Sequence, residues 1–159
     1  MNTIDISALK KLLTQLEHAI PDFEKKNLSI SNSNIGWHIE HVLMVFNGII
    51  YTTSKSILKD YKWSFNLKRI VVFAKNKIPR GVAKAPKAVV PQEDYSTESL
   101  TIHFEKAKSK LEELQYLDPQ QFFNHPIFGN LRLKKTIQFL AIHTKHHLDI
   151  IEEIKKSEK

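Results

Sequence analysis

The sequence contains no cysteine and only four glycines among its 159 residues. The lack of cysteine excludes disulfides, cysteine-based zinc sites and a thiol nucleophile on this chain. The scarcity of glycine argues against an all-β protein, which needs many tight turns. No apolar run approaches the ~20 residues of a membrane span, and the N-terminal stretch MNTIDISALKKLL lacks the apolar core of a signal peptide. We therefore expect a soluble, cytoplasmic protein with no membrane partner.

Acidic residues are almost missing from one segment of the chain. Between Lys55 and Val90 there are ten lysines and arginines and a single acid, Asp60, so this segment alone carries +9. Such a charge suits phosphates, an acidic protein or an anionic substrate. A solvated basic connection is the alternative, and it is favoured because no nucleic-acid-binding motif accompanies the charge.

Apolar residues recur with helical periodicity, which predicts an all-α protein. The predicted helices cover about 6–20, 33–56, 65–77, 97–114 and 131–156, with caps expected among residues 32–34 and at Ser96 or Thr97. The segment DPQQFFNHPIFGN is predicted to be a turn region. We expect one domain over residues 1–159, an antiparallel four-helix bundle. Its long crossover carries the short third helix and a Pro-rich basic connection at about 78–96.

Three histidines interrupt the apolar run FLAIHTKHHLDII in the last predicted helix. At 100° per residue, His143 and His147 share the core-facing stripe one turn apart, whereas His146 falls on its flank. Buried imidazoles are costly unless their nitrogens find partners. The pair therefore predicts either mutual hydrogen bonding or a shared metal ion.

A third histidine on the second helix favours the metal ion. His41 shares a face with Trp37 and Met44, so three imidazole nitrogens can converge from two facing helices. Three protein ligands leave a coordination position for water or substrate, as in catalytic sites. An all-imidazole site suits a divalent ion such as Zn, Ni or Fe.

Other residues are candidates for supporting roles around these ligands. His38 lies about 60° round the helix and is a candidate supporting partner, rival ligand or proton acceptor, whereas Glu40 points about 100° away from the His41 face. Metal-bound water is the candidate nucleophile. The predicted pocket residues are Trp37, His38, Met44, Thr52, His103, His125 and His146, and the candidate anion-binding residues are Arg80, Lys84, Lys87 and Arg132.

The chain resembles the DinB-like superfamily of bacterial metal-binding four-helix bundles, which includes bacillithiol and related thiol transferases. The resemblance rests on a histidine in the second helix and on the H-x-x-x-H pair of the last helix. In that family these three residues bind a divalent metal, which implies the same role for His41, His143 and His147. The stretches IPRGVAKAPKAVVP and HPIFGNL followed by HTKHHLDII are similar to a DinB-like branch with an HPxFG turn and no assigned function.

Three functions remain open at this point. The favoured one is a metal-dependent enzyme that carries out hydrolysis or thiol transfer on a small, anionic molecule, with a thiol as a candidate cosubstrate. The second is a non-catalytic metal- or ligand-binding bundle, for which a homodimer is conceivable. The third, less favoured, is a nucleic-acid or acidic-protein binder acting through residues 55–90.

Overall fold

A computed structural model describes residues 4–81, 84–92 and 94–157 of the chain. Helices dominate this part of the chain, as predicted. They are α1 (Ser7–Glu17), α2 (Ile35–Ser54), α3 (Leu67–Lys75), α4 (Thr97–Leu114) and α5 (Leu133–Lys156). Short 3₁₀ turns follow α1, precede α3 and lie in the connection before α4, at Ile20–Asp22, Leu58–Asp60 and Lys87–Val89.

Side-chain caps mark the beginnings of α2 and α4. The side chain of Asn34 accepts a hydrogen bond from the backbone N–H of Trp37, which satisfies one of the free donors in the first turn of α2. Ser96 caps α4 through a reciprocal pair of hydrogen bonds with Ser99. Both caps lie within the positions predicted from the sequence.

The expectation of a purely α-helical chain is wrong between α4 and α5. Here β1 (Phe122–His125) and β2 (Gly129–Arg132) form a two-stranded antiparallel sheet, in which Phe122 pairs with Arg132. Gly129 has a φ of +71°, a left-handed conformation that glycine adopts without strain. Four-residue strands are too short to show an alternating pattern, so this segment looked like a turn in the sequence.

Four of the helices pack around one apolar cluster. α2 packs against α4 and α5, and α1 packs against the same two helices. α2 is buried on almost every side, whereas α3 buries only Val72 and Phe73. Among the described helices, none combines the length and the apolar character needed to cross a membrane. The direct packing of α2 on α5 is what brings their histidines together.

Candidate metal centre

Three histidines from α2 and α5 converge in a largely buried position. The Nε2 atoms of His41 and His143 are 3.2 Å apart, and one nitrogen from each of His41, His143 and His147 lies within 4.8 Å of the others. The three side chains are only 4%, 9% and 7% exposed. This is the convergence that the helical wheel predicts for the two helices.

The nitrogen separations suit a divalent ion. Two bonds of ~2.0–2.1 Å at a tetrahedral angle place their nitrogens ~3.3 Å apart, close to the 3.2 Å between His41 and His143. The widest separation, up to 4.8 Å, is ~1.5 Å longer than this tetrahedral spacing, so at least one ring has to turn before all three nitrogens can bind one ion. The donor set fits a metal ion with three imidazole ligands, and the pair formed by His41 and His143 already has the required spacing.

Two neighbours fix the orientation of His41. Its Nδ1–H donates to the carbonyl of Val89 at 2.6 Å, which leaves the Nε2 lone pair directed at the cluster. The indole of Trp37 stacks on the same ring, with centroids 5.0 Å apart and planes 13° apart. A hydrogen-bonded outer nitrogen is the usual arrangement for a histidine that binds metal.

A hydrogen-bonded chain of side chains leads outward from His147. Its Nδ1 lies 2.9 Å from Nδ1 of His38, and Nε2 of His38 lies 3.0 Å from Oγ of Ser31. The arrangement that frees Nε2 of His147 for an ion has His147 Nδ1–H donating to His38 and His38 Nε2–H donating to Ser31. In this arrangement His38 supports a ligand and is not itself a ligand.

The cluster holds its imidazoles in the neutral form. Burial lowers the pKa of His41 and lowers those of His143 and His147 well below the usual histidine value, and the neighbouring histidines add to the shift for the latter two. Burial also lowers the pKa of His38 to about 4. Neutral rings keep a lone pair available, which metal binding requires.

In the described part of the chain, the three histidines have no acidic partner that would balance the positive charge of a bound ion. Within the described part of the chain, no carboxylate forms a hydrogen bond or ion pair with the three rings. The buried carboxylate of Glu40 accepts a 2.7 Å hydrogen bond from Nδ1 of His103 on α4, on the other side of α2. A divalent ion held by three neutral ligands would keep its full charge, which favours an anionic fourth ligand.

The other predicted pocket residues divide into two groups. His146 lies at the edge of the cluster, where its ring meets that of His147 edge-on with centroids 5.2 Å apart. Met44 is partly buried one turn beyond His41. Thr52 does not reach the cluster, because it lies about 16 Å further along α2 and is exposed, with its hydroxyl bonded to the Gly48 carbonyl.

Two of the predicted supporting histidines act elsewhere. His103 has a half-exposed side chain and pairs with Glu40, so it neither binds nor supports the cluster directly. His125 organises the β-hairpin, since its Nδ1 accepts from the N–H groups of Ile127 and Phe128. Its ring contacts that of Phe139, which in turn lies 5.7 Å from His143, so His125 is one side chain removed from the cluster.

The candidate anion-binding residues have different surroundings. Arg80 forms a two-pronged ion pair with Glu153 on α5, both bonds being 2.8 Å long. Arg132 stacks on the ring of Tyr61 and donates to a backbone carbonyl of the neighbouring turn, so its guanidinium has a structural role. Lys84 and Lys87 are exposed on the connection that crosses the cluster at Val89.

Sequence reasoning missed two contributors to the site. The Val89 contact uses a backbone carbonyl, which leaves no signal in the identity of a residue. Ser31 lies in the polar stretch SISNSN, where its hydroxyl cannot be distinguished from those of neighbouring cap candidates.

Comparisons of the chain with protein-family models, with curated proteins and with solved structures find no match in any of the three. The geometry of the site and the resemblance of its motifs are therefore the features that indicate a function.

Proposed function

We propose that this protein is a divalent-metal-dependent enzyme of the DinB-like type, acting by hydrolysis or thiol transfer on a small anionic molecule. The observation that carries the proposal is the convergence of His41, His143 and His147, whose ligand nitrogens lie within 4.8 Å of one another. A DinB-like antiparallel bundle and a bacterial origin are part of the same proposal, supported by the order of the motifs.

The ligand set restricts the metal. Three neutral imidazoles and no thiolate or carboxylate suit Zn, Ni or Fe better than Mg or Ca, which prefer oxygen ligands. When bound, such an ion acts as a Lewis acid and lowers the pKa of water or of a thiol toward neutrality.

The residues around the ligands orient them. Val89 fixes the ring of His41, and His38, held by Ser31, fixes the ring of His147. Because both nitrogens of His38 make hydrogen bonds, its arrangement favours positioning over the proton-accepting role expected from the sequence.

The charge of the site supports an anionic substrate or a thiolate cosubstrate. The ligands carry no charge and Glu40 is turned toward α4, so an anion in the remaining position would balance the ion. The exposed Lys84 and Lys87 flank the turn that meets His41 and would raise the local concentration of anions.

A non-catalytic metal-binding bundle is the second candidate, because the ligand side chains are at most 9% exposed and the 87–89 turn lies over His41. Binding of nucleic acid or an acidic protein through residues 55–90 is less favoured, since Arg69 and Arg80 already donate to protein groups.

The central test is elemental analysis of protein purified without a histidine tag. We expect one divalent ion per chain in the unaltered protein and its loss in His143→Ala and His147→Ala. His146→Ala, beside the cluster, and His18→Ala, exposed after α1, serve as controls that should retain most of the metal. Equal loss in His146→Ala and His147→Ala would contradict the ligand assignment, provided that circular dichroism shows all variants folded.

A second experiment separates an enzyme from a closed binding module. Protein loaded with Co²⁺ has a visible absorption spectrum that reports its ligands. Addition of a small thiol or of phosphate should change this spectrum if a coordination position is open to exogenous ligands. An unchanged spectrum at millimolar thiol and phosphate would favour the non-catalytic candidate.

A further inference from the structure

Large apolar side chains are exposed in one short segment. Of the thirteen exposed large hydrophobic residues in the described chain, seven lie within residues 57–71. We call them the apolar patch: Ile57, Leu58, Trp63, Phe65, Leu67, Ile70 and Val71. Trp63 and Phe65 each leave 70% of their surface exposed, and Leu67 leaves 63%. Scattered exposed hydrophobics are ordinary, whereas this concentration within residues 57–71 indicates an interaction surface.

The segment is attached to the fold by its polar groups. Asn66 caps α3 and donates to the Ile127 carbonyl at 2.7 Å, while Arg69 donates to the carbonyls of Phe128 and Ser64. Asn130 on β2 donates to the Lys62 carbonyl at 3.2 Å. Asn66 and Arg69 thus face the protein, whereas the seven side chains of the apolar patch are exposed. These hydrogen bonds hold the segment, and with it the patch, against the β-hairpin.

Lysines surround the patch. Residues 55–75 contain six basic residues and one acid, a net charge of +5. Lys59, Lys62, Lys68 and Lys75 are exposed, and none of them forms an ion pair with another residue in the described part of the chain. The positive charge therefore remains available for a partner.

We propose that the apolar patch and its lysines dock the protein on the surface of an anionic lipid bilayer. Aromatic and aliphatic side chains insert at the boundary between headgroups and acyl chains, and lysines around them attract anionic headgroups. Trp63 suits this boundary because indole combines an apolar body with one hydrogen-bond donor. This proposal replaces the expectation that no membrane takes part, and it does not depend on the metal site.

Charge and chemistry favour a bilayer over the other partners. A second copy of the chain would bring two +5 segments together, which like charges oppose. Single-stranded nucleic acid would use Trp63 and Phe65 for stacking but would leave the aliphatic members Leu67, Ile70 and Val71 without a function. A lipid surface engages the aromatic, aliphatic and basic residues together.

The test is sedimentation of the full-length protein with sucrose-loaded vesicles. Vesicles of phosphatidylcholine with 30% phosphatidylglycerol should bind the protein at low salt, and pure phosphatidylcholine vesicles should bind it far more weakly. Trp63→Ser combined with Phe65→Ser should weaken binding at least tenfold, because each buried aromatic ring contributes to partitioning. Lys59→Gln, Lys62→Gln and Lys68→Gln together should weaken binding to the anionic vesicles roughly a hundredfold.

Matched controls come from residues outside this segment, on other helices and on the turn after α4. Ile102 and Tyr116 are 60% and 70% exposed, so Ile102→Ser with Tyr116→Ser removes similar surface elsewhere and should leave binding unchanged. Lys11→Gln, Lys106→Gln and Lys108→Gln together remove the same number of exposed lysines elsewhere and serve as the charge control. All substituted side chains are exposed, so melting temperatures should stay close to that of the unaltered protein.

Three results would overturn the proposal. The first is failure of the unaltered protein to bind anionic vesicles at low salt. The second is vesicle binding that the patch variants and the control variants reduce equally. The third is that the unaltered protein forms a dimer in solution, the variant with Trp63→Ser and Phe65→Ser is a monomer, and neither protein binds vesicles. The patch would then be a self-association surface.

Discussion

Lowering the pH from 7 to 5 should destabilise the fold through His125, the histidine that organises the β-hairpin. Its Nδ1 accepts from two backbone N–H groups, and its ring contacts Phe128 and Phe139. Burial lowers the pKa of His125 to about 4. Protonation would place a hydrogen on Nδ1 and break both of the hydrogen bonds that it accepts.

The magnitude follows from the two pKa values. In the unfolded chain His125 has the ordinary value of about 6.5, so below that pH the unfolded state binds more protons than the folded state. Its contribution to stability is therefore complete above about pH 6.5 and is lost as the pH falls toward about 4. Between pH 7 and pH 5 the loss is about 2 kcal/mol from this one group.

The variant His125→Asn isolates this contribution. An asparagine Oδ1 lies close to the position of Nδ1, so the hairpin keeps its acceptor but loses the titrating group. Urea unfolding of the metal-free proteins, followed by circular dichroism at pH 7, 6 and 5, gives the free energy of unfolding of each. All other side chains are the same in the two proteins, so the difference between their pH profiles reports the substitution at His125. Parallel pH profiles for the two proteins would refute the reasoning.

Removal of the metal with a chelator should lower the melting temperature, because a ligand present at 1,000 times its Kd adds about 4 kcal/mol to the free energy of unfolding. The helical circular dichroism signal should stay intact, because the apolar core does not include the ion. Collapse of the signal would instead make the ion structural. His38→Ala should weaken metal binding about 10- to 100-fold. His38→Asn keeps an acceptor near the position of Nδ1 and should weaken metal binding less. If metal titrations give the same affinity for both variants and the unaltered protein, His38 does not position His147. Gly36→Ala should cost about 1–3 kcal/mol, because its Cβ would lie 2.4 Å from the Tyr95 ring. Gly48→Ala is the control, because a Cβ at this position would meet only open space. Urea unfolding should show that it leaves the free energy of unfolding unchanged or raises it. Equal effects of the two substitutions would contradict the packing argument.

Helical periodicity predicts the angular position of a side chain, and this was enough to find the cluster. His41, His143 and His147 all lie at the centre of long apolar stripes, so a modest error in helix phase does not move them out of the core. His103 lies nearer the edge of its stripe. There the outcome depended on the facing residue Glu40, whose contact with α4 the sequence does not reveal.

Contacts between residues that lie far apart in the chain could not be predicted from the sequence, for a different reason. Arg80 is a candidate anion-binding residue in the sequence, and the structure shows that its guanidinium pairs with Glu153, 73 residues away. Arg132 stacks on Tyr61, and this contact depends on the β-hairpin that the sequence did not predict. Long flexible side chains reach many partners, so their final contacts follow from the packing of the backbone.

The hydrogen bond between His41 and the Val89 carbonyl separates two properties of the connection before α4. The carbonyl belongs to the main chain, so the side chains of residues 84–92 can change without removing the acceptor. The number of residues between α3 and Val89 cannot change as freely, because it determines whether a carbonyl reaches Nδ1. The segment between α3 and α4 therefore tolerates substitutions better than changes of length. An alignment of related chains should show many substitutions in this segment and few insertions.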